Sequence, residues 1–171
     1  MSSFGFEIGV SDVIAFIALV VSIVSTFASG YYRKKTIRRE QASCIWAWIE
    51  PNELIDGMYD IVLSNQSGGL VYDVVATVVM RYGAGARDAR IYQGREMRVL
   101  LPSLKPGDRK FCVGHVDLSM FKTPGVELAF TDKFEASWIR QADGKLQRLR
   151  CKEGTLGYYG IPFPVDWTSR I

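Results

Sequence analysis

The sequence predicts a mainly β protein in which an N-terminal transmembrane α-helix precedes one antiparallel β-sandwich of about seven to eight strands. Three observations predict it. The chain of 171 residues is 48% apolar, and an uncharged apolar run at residues 13–28 contains neither Gly nor Pro. After position 42 no amphipathic helical period of about ten residues occurs. Short apolar segments separated by Gly- and Pro-containing turns follow instead, which is typical of an antiparallel sandwich.

The transmembrane helix is assigned to residues 11–32, after a short N-terminal tail at residues 1–10. At about 1.5 Å per residue, residues 13–32 cover about 30 Å, which is the thickness of the hydrocarbon core of a bilayer. Ser11 or Asp12 can cap the first turn, where a side-chain oxygen satisfies an unpaired backbone amide. Tyr31 and Tyr32 suit the membrane interface at the other end of the helix.

A cluster of bases follows the apolar run, within the juxtamembrane segment 33–42. No Lys or Arg precedes position 33, and the chain beyond the cluster is nearly neutral although the net charge is +3. The cluster therefore predicts contact with lipid head groups and no nucleic-acid partner. Because short flanks rich in Lys and Arg stay in the cytoplasm, we expect a single-pass plasma-membrane protein with its N-terminus outside and its C-terminal domain cytoplasmic. The bases are Arg33, Lys34, Lys35, Arg38 and Arg39.

A cleavable secretory signal is the alternative interpretation of this segment, because Ala28-Ser29-Gly30 resembles a small-residue cleavage site. The charge distribution opposes it, since a signal peptide carries its bases before the apolar run rather than after it. The cysteines agree with a cytoplasmic domain. Cys44, Cys112 and Cys151 are three in number, so disulfide pairing would leave one over, and we expect reduced thiols.

Small residues form a stripe on the apolar helix. Ala15, Ala18, Ser22 and Ser25 recur at spacings of three and four residues, which places them on one helical face. Small side chains let two helices approach closely, so the stripe predicts self-association or packing on another membrane helix. An anchor without a helix partner is the alternative, because Ala and Ser are common in single-pass spans.

Eight short segments in the domain 43–153 are predicted to be strands. Two turns between them have a clear local chemistry. Pro106-Gly107 suits a type II turn, and Asp143-Gly144 suits a two-residue type I′ hairpin. The segments lie at residues 44–49, 59–64, 71–82, 97–101, 110–116, 126–131, 136–141 and 146–149.

Side-chain alternation in the sixth of these segments predicts which face is buried. Val126, Leu128 and Phe130 share one side of the strand, so we expect them in the core. Glu127 shares the other side with Ala129, and we expect its truncation to cost less than about 0.5 kcal/mol, as at an exposed position.

The last segment, residues 154–171, is aromatic and contains Gly and Pro at several positions. It is too aromatic for a disordered tail and too rich in helix breakers for a helix, so we expect an extended strap that packs along the sandwich. The alternative is that its aromatic side chains stay exposed and form a partner surface. The candidate residues for that surface are Tyr158, Tyr159, Phe163 and Trp167.

Strand and turn residues between positions 60 and 146 also carry a resemblance. The matching runs are Leu63-Ser64-Asn65 with Val71-Tyr72-Asp73-Val74-Val75, Leu101-Pro102 with Pro106-Gly107, and Phe130-Thr131-Asp132 with Trp138-Ile139-Arg140 and Asp143-Gly144-Lys145-Leu146. This pattern resembles small uncharacterised single-pass membrane proteins of actinobacteria and their phages. The resemblance implies an immunoglobulin-like sandwich and carries over no activity. The sequence departs from the pattern at Lys133-Phe134-Glu135, where a Gly-containing turn is expected, so we expect a looser turn there.

The sequence shows no pattern typical of a catalytic, metal-binding or dinucleotide-binding site. The single histidine, His115, falls inside a predicted strand, where we expect a hydrogen-bonded structural residue, and the scattered cysteines lack the spacing of a zinc site. Gly83-Ala84-Gly85 follows a strand but lacks the third glycine of a dinucleotide fingerprint. Trp46, Trp48 and Trp138 are interpreted as core or edge packing rather than as a ligand stack. We therefore expect no catalytic residue, no metal and no cofactor.

These observations predict a membrane-anchored, non-enzymatic protein-interaction module at the cytoplasmic membrane surface. Its strand edges, loops or aromatic strap would bind a protein whose identity the sequence does not give. One alternative is a structural or accessory subunit that assembles through its transmembrane helix, including as a homo-oligomer. Another is a sensor of lipid or ligand that uses the basic segment.

Overall fold

The computed structural model of the chain describes residues 9–91, 97–116, 119, 121–162 and 164–168. These residues form one long helix, eight strands and one short helix, and they divide into two compact units between Ile37 and Arg38. In chain order the elements are α1 (Val10–Ser43), β1 (Ile45–Pro51), β2 (Tyr59–Asn65), β3 (Val71–Tyr82), β4 (Arg98–Leu104), β5 (Gly107–Gly114), β6 (Thr123–Thr131), β7 (Ser137–Arg140), β8 (Leu146–Arg148) and α2 (Gly154–Tyr158).

Helix α1 is 34 residues long. Its apolar part is long and apolar enough to span a membrane, and none of that part is buried against the described protein. The basic segment 33–42 continues the same helix without interruption. The last six residues of the helix, from Arg38 onward, belong to the unit that contains the strands.

The strands form two antiparallel sheets. One sheet has three strands in the order β1-β2-β5, and the other has five in the order β4-β3-β6-β7-β8. Every pairing is antiparallel. A mainly β chain of two antiparallel sheets behind a long apolar helix is thus confirmed, and each of the eight predicted strands is present with small shifts of its ends.

The main core lies between the two sheets. Val126, Leu128 and Phe130 of β6 point into it, as their alternation predicts. Phe130 is the largest fully buried side chain. Ile61 and Leu63 of β2 meet them from the three-stranded sheet, and Ala42 at the end of α1 is also part of this core.

A second apolar cluster covers the opposite face of the five-stranded sheet. Ala129 and Ile139 contribute from the sheet, and Leu156 and Tyr159 contribute from the C-terminal segment. Glu127 shares this covered face and is only 4% exposed, so the expectation that it tolerates truncation as a surface residue is wrong. Strand alternation separates two faces, but it does not show that a distant segment covers the second one.

One of the two turns with a predicted type differs from its prediction. Of Asp143 and Gly144 only Gly144 has a positive φ, of 90°, whereas a type I′ turn requires positive φ at both residues. The Gly144 N–H donates to the Gln141 carbonyl at 2.8 Å, so a type I turn precedes a left-handed glycine. At Pro106-Gly107 the positive φ of Gly107, 109°, agrees with the type II prediction.

The turn at residues 133–135 is tightly held rather than loose. The Asp132 carboxylate accepts the N–H groups of Phe134 and Ala136 at 2.8 and 2.9 Å, and its second oxygen accepts the Trp138 indole N–H at 2.8 Å. Glu135 takes the left-handed conformation, φ 61°, that a glycine would adopt easily. The buried carboxylate therefore fixes a turn that lacks the expected glycine.

Candidate interaction surfaces

The predicted helix stripe lies on α1. Ala15, Ala18, Ser22 and Ser25 are all exposed there, and helical geometry puts them on one face. This places the stripe on the part of the helix that is apolar enough for a membrane, without a described segment against it.

The basic residues of 33–39 do not share one environment. Arg33, Lys35 and Arg39 are exposed on α1, and Lys34 lies within the same helix. Arg38 is half-buried, and its guanidinium lies 5.3 Å from the centre of the Phe134 ring in the unit that contains the strands. Arg38 therefore belongs to the folded domain as well as to the basic segment.

The C-terminal aromatics pack inward. Tyr159 is 8% exposed, and Tyr158 and Trp167 pack against the second apolar cluster. The Thr168 N–H donates to the Leu100 carbonyl, and the Leu100 N–H donates to Thr168 Oγ1, both at 2.8 Å. These two bonds fix the segment to the edge strand β4. This packing agrees with the expected strap, and the alternative of an exposed partner surface does not fit the burial of Tyr159. Phe163, the remaining candidate, lies outside the described residues.

A short helix, α2, interrupts the strap and brings the Tyr159 hydroxyl to Glu127. The hydroxyl donates to Glu127 Oε1 at 2.9 Å in a buried contact. Burial raises the pKa of the Glu127 carboxyl, and the hydrogen bond from Tyr159 partly offsets this increase. Burial also raises the pKa of Tyr159, which therefore remains a donor at neutral pH. This pair fixes the strap to β6.

A second group of polar contacts borders the same pair. Arg98 Nε donates to Thr77 Oγ1 at 3.0 Å and its Nη2 donates to the Ala89 carbonyl at 2.6 Å. The same guanidinium lies 5.5 Å from the Tyr159 ring centre. Arg98 therefore connects β3 and the segment at Ala89 with the ring of Tyr159 in the strap.

Residues with reactive or metal-binding chemistry are dispersed. Among the described residues, no group of three His, Cys, Asp or Glu side chains could hold a metal ion. His115 is exposed just after β5 rather than inside a strand, and its ring lies against Gly57. The three cysteines are unpaired, and only Cys112 is exposed.

The outer face of the three-stranded sheet is exposed along its edge strands β1 and β5, whereas the outward residues of its central strand, Asp60, Val62 and Ser64, are buried. We call this outer face the tryptophan face. Trp46 and Trp48 point outward from the edge strand β1 and are 46% and 41% exposed, while Trp138 is buried in the core, so the three residues divide between the edge and core positions expected for them. The strand registers define three rows across it: Trp46-Ser64-Asp108, Trp48-Val62-Lys110 and Glu50-Asp60-Cys112.

Hydrogen bonds and ion pairs organise the polar part of the tryptophan face. The Trp48 indole N–H donates to Glu50 Oε2 at 3.2 Å, and Lys110 forms an ion pair with the same carboxylate. The hydrogen bond with Lys110 lowers the pKa of Glu50, which is therefore ionised. Lys110 also lies 3.7 Å from Glu53 in the β1–β2 loop.

Arg140 supports the tryptophan face from beneath. Its guanidinium carbon lies 3.7 Å from the Trp46 ring centre. The guanidinium donates to the carbonyls of Ile45, Ser43 and Gly144 at 2.9 to 3.0 Å, and so binds the C-terminal end of α1, where unpaired carbonyls favour a cation. The sequence places this residue in a strand but gives no sign of its contact with a helix almost 100 positions earlier.

Apolar loop residues adjoin one end of the tryptophan face. Asn52 accepts the N–H groups of Leu54 and Ile55 at 2.9 and 2.8 Å and donates to Asp60 Oδ1 at 2.7 Å, which fixes the β1–β2 loop. Leu54 is 93% exposed on that loop, and Phe121 in the β5–β6 loop is 98% exposed.

The edges of the sheets are less open than the tryptophan face. Arg140 donates a hydrogen bond to the Ile45 carbonyl of β1, and Pro51, which has no backbone N–H, ends that strand. On β5, Lys110 points outward and Arg109 points inward. Charged side chains on an edge strand oppose the addition of another strand. The strap covers the β4 edge, and β8 is only three residues long.

No family model, no curated protein and no solved structure matches this chain. The resemblance to actinobacterial and phage membrane proteins therefore stays a prediction.

Proposed function

We propose that this protein is a membrane-anchored, non-enzymatic interaction module that holds a β-sandwich at the cytoplasmic surface of the plasma membrane. The tryptophan face is the surface that it presents to a protein. The observation that carries the proposal is the difference between the two sheets: the strap covers the outer face of one, while Trp46 and Trp48 remain half-exposed on the other. Tryptophan is enriched at protein interfaces, because it combines a large apolar ring with a hydrogen-bond donor.

The size of the face indicates the strength of the contact. Three strands about 4.8 Å apart and three rows about 7 Å apart span roughly 300 Å². A stable interface buries about 800 Å² on each partner, so this face alone supports a weak contact. Confinement at a membrane raises the local concentration of partners and can compensate for weak binding.

We also propose that the sandwich is immunoglobulin-like. The strand order supports this. The first, second and fifth strands share one sheet, and the third, sixth and seventh are consecutive neighbours in the other, as in the immunoglobulin arrangement. Here the fourth strand pairs with the third, instead of extending the first sheet.

Photo-crosslinking in the native membrane tests the proposed surface. A photoreactive amino acid replaces Trp48 or Cys112 on the tryptophan face, or Gln147 on exposed β8 as the control, in the full-length chain. Discrete protein adducts are expected from the two face positions and not from Gln147. Equal adducts from all three positions, or only lipid adducts from the face, would contradict the proposal.

A further inference from the structure

We infer that the partner segment bound by the tryptophan face is rich in arginine and lysine. This inference rests on the proposed function and specifies the chemistry of the partner. Its basis is the combination, on one sheet face, of two half-exposed indole rings with an excess of carboxylates.

The charge of the face is opposite to that of the whole protein. The chain has a net charge of +3, yet the face and its adjoining loop carry the four carboxylates of Glu50, Glu53, Asp60 and Asp108 against two cations, Lys110 and the Arg140 guanidinium at Trp46. Glu53 and Asp108 are exposed, and Glu50 is partly exposed. Asp60 accepts a hydrogen bond from the Asn52 side chain and is buried within the face. A cationic segment complements this arrangement, whereas an anionic membrane surface is repelled by it.

The tryptophan rings supply a second, independent means of recognising cations. A guanidinium over an indole ring is the most favourable cation–π pair, and Trp46 already holds the Arg140 guanidinium at 3.7 Å inside the protein. Trp48 is oriented by its hydrogen bond to Glu50, so a cation on its ring also approaches a carboxylate.

The spacing of the two tryptophan positions along β1 matches the residue spacing of an extended peptide. Residues two apart on a strand lie about 6.7 Å from each other and point to the same side. Trp46 and Trp48 have this spacing, and so do alternate arginines in an extended segment. A sequence of alternating arginine and small residues can therefore lie across the face and place successive guanidinium groups near the two rings. Such a segment would contact the exposed side chains of β1 and β5 and would not use a sheet edge.

Peptide binding to the full-length protein in zwitterionic nanodiscs tests the inference. The probe is a short fluorescent peptide of alternating arginine and glycine, and its control has glutamate in place of arginine. We expect binding of the arginine peptide only. Trp48→Ala should weaken it about fivefold or more, as loss of a cation–π pair implies, while Tyr82→Ala, at another exposed aromatic, should leave it unchanged.

The carboxylates are tested by Glu53→Gln with Glu135→Gln as the matched control at a distant exposed turn. Glu53→Gln should weaken binding about twofold to threefold at about 0.15 M salt and have no effect near 1 M, where the Debye length falls to about 3 Å. Unchanged thermal unfolding of each variant shows that the fold is kept.

Three results would overturn the inference: equal binding of the glutamate peptide, equal effects of Trp48→Ala and Tyr82→Ala, or quenching of Trp48 fluorescence by brominated lipid in the nanodisc. The last result would assign the face to the bilayer. If the arginine peptide fails to bind but protein crosslinks from Trp48 persist, the proposed function stands and the partner chemistry is wrong. If both fail, the surface itself is wrong.

Discussion

Replacement of Tyr159 by Phe removes one buried hydroxyl and keeps the aromatic ring in place. That hydroxyl is 2.9 Å from Glu127 Oε1, and the two residues are 8% and 4% exposed. Because the ring still fills its space, the substitution creates no cavity, and its cost comes from the loss of one donor to the carboxylate. Glu127 keeps its backbone hydrogen bond with Ala89. The loss is therefore that of one hydrogen bond, and we expect Tyr159→Phe to lower the free energy of unfolding by about 1 kcal/mol.

The pH dependence of the pair has a definite sign. Burial raises the pKa of Glu127 in the folded protein above its ordinary value of 4.5. The folded state therefore holds this proton more tightly than the unfolded state, and stability from this group is present below about pH 4.5 and is lost as the pH rises through the raised pKa. Glu127→Gln keeps an acceptor and does not titrate, so the stability of wild type relative to this variant should fall over that pH range.

Urea or thermal unfolding of the full-length protein in a mild detergent, followed by tryptophan fluorescence, measures both effects. Tyr158→Phe is the control, because this neighbouring ring is only half-buried, and we expect a change under about 0.5 kcal/mol. Equal losses for Tyr159→Phe and Tyr158→Phe would refute the hydrogen-bond argument. A constant difference between wild type and Glu127→Gln across pH would refute the claim that burial shifts this carboxyl.

Further predictions concern the end of α1 and the topology. Arg140→Met should lower the free energy of unfolding by about 3 kcal/mol, since backbone carbonyls lose a charged donor, while Arg148→Met on exposed β8 should change it by less than about 0.5 kcal/mol. Gln41→Leu should raise it by about 1 kcal/mol, because both amide atoms of Gln41 are buried without a hydrogen-bond partner among the described residues; a loss measured by the same unfolding assay would contradict this. An impermeant maleimide should leave the exposed Cys112 unlabelled in intact cells and should label a cysteine introduced by Ser3→Cys; the reverse pattern would invert the proposed orientation.

The sequence by itself determined the elements whose signals are local. A long uncharged run predicts α1, and alternation with turn residues predicts the eight strands, because helical and strand periods are set by neighbouring residues. The inward face of β6 followed from the same alternation, with Phe130 in the core. Positive φ at Gly107 followed from the preference of this turn position for glycine.

The tertiary structure decided which faces are covered and which remain open. Glu127 is buried because a segment about 30 residues later folds over β6, and Arg140 is buried because the end of α1, almost 100 residues earlier, meets β7. Trp46 and Trp48 are large aromatic residues of the kind found in cores, but they lie half-exposed on the edge strand β1. Strand periodicity assigns side chains to two faces and gives no information on what packs against either one. That depends on contacts between residues far apart in the chain, and these contacts also determine where a surface for a partner exists.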